Sequence, residues 1–264
     1  MFSAVGVIPA RYGSSRLPGK PLADLQGKPL LYYVYNRASQ ASSLREVWVA
    51  TDDQRIFDAA RGFGARVVMT RKSHRSGTDR IAEVAGNIEA DIVVNIQGDE
   101  PLIDFAAIDH VVRILAQDPG AEMATLKVPI HDPDDLWNPS VVKVVTDQRG
   151  YAVYFSRAPI PYSRVKESPN MELQELIPGR PDLLRHFFRH VGLYAYRREF
   201  LLRFTTWAPS PLELLEDLEQ LRAVEHGIKI RVDLTQSSMF GVDTPEDLER
   251  IRKIVGNDPG VLKA

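Results

Sequence analysis

Short apolar runs separated by helix-length segments fill the first half of the chain, and this alternation constrains the fold more than any other feature. Residues 3–9 (SAVGVIP) are an apolar run bounded by turn chemistry, which reads as a buried strand. Residues 46–50 (EVWVA), 66–69 and 91–96 (DIVVNI) repeat the pattern. Helices are expected between them. One starts at Pro29, with Leu30, Leu31, Val34 and Tyr35 at helical spacing; a second covers 53–61 and is stopped by Gly62 and Gly64. A third begins at Thr78 and a fourth covers 105–116. The alternation predicts an α/β fold with a mostly parallel (mixed) central sheet and helices on both faces.

The second half changes character. Strands are expected at 123–129, 141–146 and 151–155 with little helix between them, and another at 190–196. Residues 159–181 hold five prolines plus Gly179 and read as an ordered excursion or a mobile loop. Two helical stretches across 211–225, a strand at 229–234 and a helix over 245–255 complete the pattern, with Asp243 or Thr244 as the last helix's cap. No internal repeat marks a boundary, so one domain over 1–264 is expected, with a strand-rich region near 123–210.

Composition excludes several function classes. The 33 basic and 35 acidic residues give a net charge of −2, against the broadly basic surface of a general nucleic-acid binder. With no cysteine, disulfides, thiolate metal sites and cysteine nucleophiles are ruled out. No apolar run approaches the roughly 18 residues of a membrane span, and MFSAVGVIPARYG reaches an arginine too soon for a signal peptide. A cytoplasmic location without membrane insertion is the expectation.

Local clusters carry the chemistry. Arg11, Ser14, Ser15, Arg16, Gly19 and Lys20 directly follow the first strand, where open parallel sheets place their ligands. Three cations among small residues suit a polyphosphate, since arginine forks two oxygens and lysine acts as a point charge. The loop is not a Walker A motif: five residues separate Gly13 from Gly19-Lys20, and Pro21 supplies no hydroxyl. A solvated basic loop is the alternative. Asp99 follows a buried strand in Gln97-Gly98-Asp99-Glu100-Pro101 and is the first candidate for a hard cation such as magnesium. Asp243, in Gly241-Val242-Asp243-Thr244-Pro245, is either a second ligand or simply an N-cap, and Gly241 before it allows close backbone approach.

Further candidates stand more openly between function and structure. His190 and Tyr194 share a face by two-residue alternation and suit a polyhydroxylated substrate, or they are packed sheet residues. Arg157 sits at a strand exit stiffened by Pro159 and Pro161, suited to a carboxylate or to the surface. Glu219 and Gln220 lie in an expected helix, where solvated polar positions are ordinary. The stretch from His74 to Arg80 leads into a helix, so its amides and Arg75 either meet an anion or form a capping turn. No HExxH or Gly-x-Ser-x-Gly pattern occurs.

Taken in order, IPARYGSSRLPGKPL, SGTDRIAEV, NIQGDEP, YFSRAPIPY, HVGLYAYRREFL, SPLELLEDLEQLR and GVDTPEDLERIR resemble the 3-deoxy-manno-octulosonate (Kdo) cytidylyltransferases, from about Ile8 to Arg252. The resemblance implies a nucleotide-diphospho-sugar transferase-like fold and transfer of CMP from CTP to Kdo, for lipopolysaccharide synthesis, with pyrophosphate released. It implies that Arg11, Ser14 or Ser15, Arg16 and Lys20 hold the CTP phosphates, that Asp99 and Asp243 bind Mg²⁺, and that Arg75 and Gln97 help position the nucleotide. Arg16, Lys20, Asp99 and Asp243 would be the catalytic set. Arg157, His190, Tyr194, Glu219 and Gln220 would surround the sugar acid, and the strand-rich region would serve a homodimer. Residues 164–185 match no motif, which leaves open a related sugar acid such as 8-amino-Kdo. A non-catalytic nucleotide-binding regulator is the reading from another class.

Overall fold

The computed structural model describes residues 2–13, 17–164, 172–237 and 241–257. The chain divides into two compact units of interleaved segments: Met1–Pro119, Leu193–Trp207 and Ser237–Ala264 in the first, Gly120–Gly192 and Ala208–Gln236 in the second. The single domain expected over 1–264 does not separate these units.

The first unit opens with β1 (Ala4–Ala10), the two-residue strands β2 (Asp24–Leu25) and β3 (Lys28–Pro29), and α1 (Leu30–Ala38). It continues with β4 (Leu44–Thr51), α2 (Gln54–Gly62), β5 (Arg66–Met69), α3 (Gly77–Gly86), β6 (Ile92–Asn95) and α4 (Phe105–Gln117). The second unit holds β7 (Met123–Pro129), α5 (Pro133–Trp137), β8 (Lys143–Thr146), β9 (Ala152–Ser156) and α6 (Leu173–Leu176). Strand β10 (Phe188–Arg197) starts in the second unit and ends in the first, which adds α7 (Arg198–Phe204). After α8 (Pro211–Glu216), α9 (Gln220–Glu225) and β11 (Ile230–Leu234) of the second unit, α10 (Pro245–Asn257) returns to the first.

In the first unit β1 lies between β4 and β6 and is parallel to both, and β5 continues the parallel order beyond β4. The end of β10 runs antiparallel to β6, with Tyr194 opposite Asn95. This is the mixed, mostly parallel sheet that the alternation predicts. Every residue of β6 and all of β1 except Pro9 are buried, because helices cover a parallel sheet. Each buried valine or isoleucine there contributes about 1.5–3 kcal/mol. α1 packs with α4, and α3 with α7. Gly62 ends α2, and Gly64 (φ 84°) lets the Ala65 amide return to the Ala60 carbonyl at 3.0 Å, so the glycine pair is a helix stop.

In the second unit β7 lies between β11 and β10, parallel to β11, and β8 pairs antiparallel with β9. Of the proline-rich excursion, 165–171 lie outside the described residues. Beyond them, Leu173, Leu176 and Leu184 pack with Ile130, Leu136 and Phe187 in one apolar cluster. Lys143 is fully buried and donates to the carbonyls of Asn138 (3.0 Å), Val141 (2.6 Å) and Arg157 (2.7 Å). Burial depresses its ammonium below 10.5, with Glu216 and Asp135 opposing and Arg157 assisting.

Candidate active site

Within the first unit, the carboxyl ends of β1 and β6 open into a cleft of about 300 Å³. Arg11 and Lys20 line it from the loop after β1, Gln97, Gly98 and Asp99 from the end of β6, and Asp243 from the entrance to α10. Ser14, Ser15 and Arg16 lie outside the described residues. Gly98 lets the two strand ends approach, since a Cβ there would sit 2.9 Å from the Pro9 carbonyl oxygen.

Lys20 is the centre of the cleft. Its Nζ lies 2.6 Å from Asp99 Oδ2 and 3.0 Å from Asp243 Oδ1, with its side chain only 13% exposed. Burial alone would lower its pKa, but the charges and hydrogen bonds of Asp99 and Asp243 outweigh burial and raise it above 10.5. The two acids meet because the Val242 amide donates to the Asp99 carbonyl at 2.9 Å, across a sequence gap that no local pattern spans. Gly241 does not supply the close approach expected of it, since a Cβ there would meet nothing within 4 Å.

The cap reading of Asp243 is overturned by its neighbours. The Asp247 amide donates to Thr244 Oγ1 (3.2 Å), and Asp247 Oδ2 accepts from the Asp243 and Thr244 amides (3.0 Å each). Thr244 and Asp247 therefore cap α10. The Asp243 carboxylate is turned to Lys20 instead.

The capping turn is likewise what forms before α3. Ser76 Oγ accepts from the Asp79 amide (3.1 Å), and Asp79 Oδ2 accepts from the Arg75 and Ser76 amides (3.3 Å each). Arg75 is exposed and absent from the cleft lining, whereas His74, Ser76, Gly77 and Arg80 belong to it. Arg80 was not foreseen as a site residue. It is 3% exposed, paired with Asp52 at 2.8 Å and bonded to the Thr70 hydroxyl. The serine–aspartate box was the signal that could have found it: a helix beginning at 77 puts position 80 on the same face one turn later.

The remaining candidates fall elsewhere. Tyr194, in the first unit, is buried with its ring 5.9 Å from Tyr196. Arg157, His190, Glu219 and Gln220 are in the second unit. Arg157 donates through Nε to the Glu216 carbonyl (2.6 Å), through Nη1 to that of Pro139 (3.0 Å) and through Nη2 to that of Asp217 (3.1 Å). It thereby holds the turn at Asp217 (φ 52°) that leads into Glu219, the N-cap of α9, and the buried Gln220. Glu216 Oε1 accepts from Ser156 Oγ (2.7 Å) and Oε2 from the Arg157 amide (3.0 Å).

His190 Nε2 lies 3.0 Å from Thr125 Oγ1, and the ring meets Phe155 edge to face at 5.1 Å. Thr125 donates its one hydroxyl proton to the Val191 carbonyl (2.9 Å), so Oγ1 accepts from His190 and Nε2 carries the proton. Burial, followed by the Arg189 charge, pushes His190 from 6.5 down to about 3, so the ring is neutral at pH 7.

A parallel sheet whose strand ends present a cationic loop and two converging acids is the equipment of a nucleotidyltransferase. The cytidylyltransferase family model matches residues 5–230. The chain belongs to that family, and within it to the 3-deoxy-manno-octulosonate cytidylyltransferases. The enzyme of that name from Geobacter sulfurreducens is 53% identical over 93% of this chain and 96% of its own length. The one from Solibacter usitatus is 52% identical over 95% and 93%. A solved CMP:2-keto-3-deoxy-manno-octonic acid synthetase complexed with CTP matches with a TM-score of 0.86 at 44% identity, covering 97% of this chain and 99% of that one.

Proposed function

We propose that this chain transfers the CMP moiety of CTP to Kdo, releasing pyrophosphate and forming CMP-Kdo for lipopolysaccharide synthesis. The observation that carries the reading is Lys20, held between Asp99 and Asp243 at the mouth of β1 and β6. The sugar's anomeric hydroxyl attacks the α-phosphorus of CTP in line, opposite the leaving pyrophosphate. Such transfer needs positioning and charge neutralisation more than covalent help from the protein. Arg11, Lys20 and Arg16 hold the triphosphate and neutralise charge on the pyrophosphate as it departs. Gln97 faces the nucleotide from the end of β6, and Arg75 assists from the turn before α3. Arg157, His190, Tyr194, Glu219 and Gln220 receive the sugar acid. The neutral His190 serves there as a hydrogen-bonding group and not as a fixed cation.

The donor set suits Mg²⁺. Asp99 and Asp243 offer hard oxygens that converge on one point, already marked by a cation in the Lys20 ammonium. Among the described residues no group of three or more His, Asp or Glu could hold a metal by itself. When bound by Asp99 and Asp243, Mg²⁺ supplies Lewis-acid neutralisation of the phosphate oxygens.

We further propose a homodimer in the cytoplasm. Leu214 and Leu215 on α8 (71% and 81% exposed) and Val153 (55%) leave apolar surface on the second unit for it. Among the described residues no helix is long and apolar enough to cross a membrane.

Pyrophosphate release in the presence of Mg²⁺ tests the reading. Release is expected only with CTP and Kdo together, and not with UTP in place of CTP. Release with 8-amino-Kdo but not Kdo would move the substrate assignment. Silence with every sugar acid, while CTP still binds, would sink the enzymatic reading.

A further inference from the structure

The loop that bears Lys20 has a fastening outside the cleft. α2 begins just after its cap Asp53, whose side chain also grips Arg55: Oδ1 accepts from the Arg55 amide (3.0 Å) and Nε (2.9 Å), and Oδ2 from Nη2 (2.6 Å). The Arg55 side chain is 59% exposed, and a side chain so open would ordinarily sample many rotamers. Here both sides of its guanidinium fork are held. The held guanidinium lies 3.3 Å from the centroid of the Tyr12 ring.

Tyr12 in turn meets Gly19. A Cβ on Gly19 would come 3.0–3.1 Å from Cζ, Cε2 and the hydroxyl of Tyr12, and Gly19 has φ 72°, so only glycine fits beside the ring. The Gly19 amide donates to the Tyr12 carbonyl at 2.9 Å. Ring contact and backbone bond together close the stem of the loop. Arg11 precedes that stem and Lys20 follows it, and both line the cleft. Arg55 itself is not part of the lining.

We infer that Arg55 is a positioning residue for nucleotide binding, which acts through Tyr12 to fix where Gly19 and Lys20 stand before CTP arrives. A loose stem would have to be ordered at the expense of CTP affinity, whereas a fastened one is ordered in advance. The effect belongs to CTP affinity alone, because a saturated site recovers the same pose. The inference rests on the reading of the cleft as a CTP site.

A double-mutant cycle tests it, with CTP binding measured by calorimetry on the full chain. Arg55→Ala and Tyr12→Ala are each expected to weaken CTP binding about fivefold, the scale of an exposed cation–π contact. The double variant is expected to be no worse than either single one. Tyr12→Phe should bind normally. Arg55→Lys should resemble Arg55→Ala, because lysine keeps the charge but loses the fork that Asp53 holds. The KM for the sugar acid and kcat should not move in any of them. Additive losses, or full rescue by Arg55→Lys, would mean that Arg55 attracts the triphosphate by charge alone and would overturn the inference. Hydrogen exchange at the Gly19 amide, without nucleotide, separates this from the functional reading. Faster exchange in Arg55→Ala supports the fastening even where CTP does not bind, and unchanged exchange refutes it.

Discussion

Two lysines, Lys20 half-buried in the first unit and Lys143 fully buried in the second, show how the same side chain serves opposite purposes. Lys20 is surrounded by carboxylates, and their charges overcome burial to raise its pKa above the usual value. Lys143 is surrounded by backbone carbonyls, whose dipoles leave burial dominant, and its pKa falls. A cation that faces a cleft with its counter-charges beside it can exchange those partners for phosphate oxygens. A cation wrapped in carbonyls cannot leave without breaking the bonds that hold their segments together. The first is equipment for chemistry and the second is a staple. Arg157 sides with the staple as far as its carbonyl bonds go, although its place ahead of Glu219 gives it a second importance.

Substituting the lysines should separate the roles most sharply. Lys20→Met is expected to lower kcat about 10²–10³-fold, the cost of one lost charge-stabilising donor, with little change in thermal midpoint. A pyrophosphate-release assay beside a melting curve checks both halves, and normal turnover would remove Lys20 from the chemistry. Lys143→Met should do the reverse. Loss of its bonds to the Asn138, Val141 and Arg157 carbonyls is expected to cost about 2–4 kcal/mol in urea unfolding, while CTP affinity in calorimetry holds. A smaller contrast divides neighbouring residues at α10. Thr244→Ala should cost about 1 kcal/mol of stability and leave turnover alone, whereas Asp243→Asn should reduce turnover and leave stability nearly intact.

A further contrast is in pH. His190 has a folded pKa far below 6.5, so the unfolded chain binds a proton that the native ring refuses. Its stabilising contribution is complete above about pH 6.5 and is lost as pH falls from there toward 3. Urea midpoints between pH 7 and 5 should therefore decline more steeply in the wild type than in His190→Gln. Parallel slopes would show that the ring does not control that window.

The sequence made the longer elements easy to read because each is written locally. β5 and β7 fall where the apolar runs put them, α1 follows Pro29, and Gly62 and Gly64 end α2. α5, α6, α7 and the two-residue strands β2 and β3 were missed. They are short, and four to seven residues carry too little periodicity to declare a helix. The cleft was legible where its residues lie in the segments that follow strands, as Lys20 and Asp99 do. Arg75 and Arg80 were harder to separate, since charge pattern alone does not tell a capping turn from the buried face beyond it. Whether Asp243 caps α10 or is brought beside Asp99 was undecidable from spacing. That turns on the Val242–Asp99 hydrogen bond and on Thr244 taking the cap, both products of the folded chain.

That convergence also has a bearing on how the molecule is made. Lys20 meets Asp99 across 79 positions and Asp243 across 223. Contacts so far apart in the chain form late, after the entropy of closing long loops has been overcome. On the ribosome the cleft has its lysine and first acid early, but the second acid emerges only after the whole second unit has been synthesised. A chain arrested before position 243 holds a lysine with half its counter-charge, so the completed site marks synthesis past both units' interleaved segments up to Asp243.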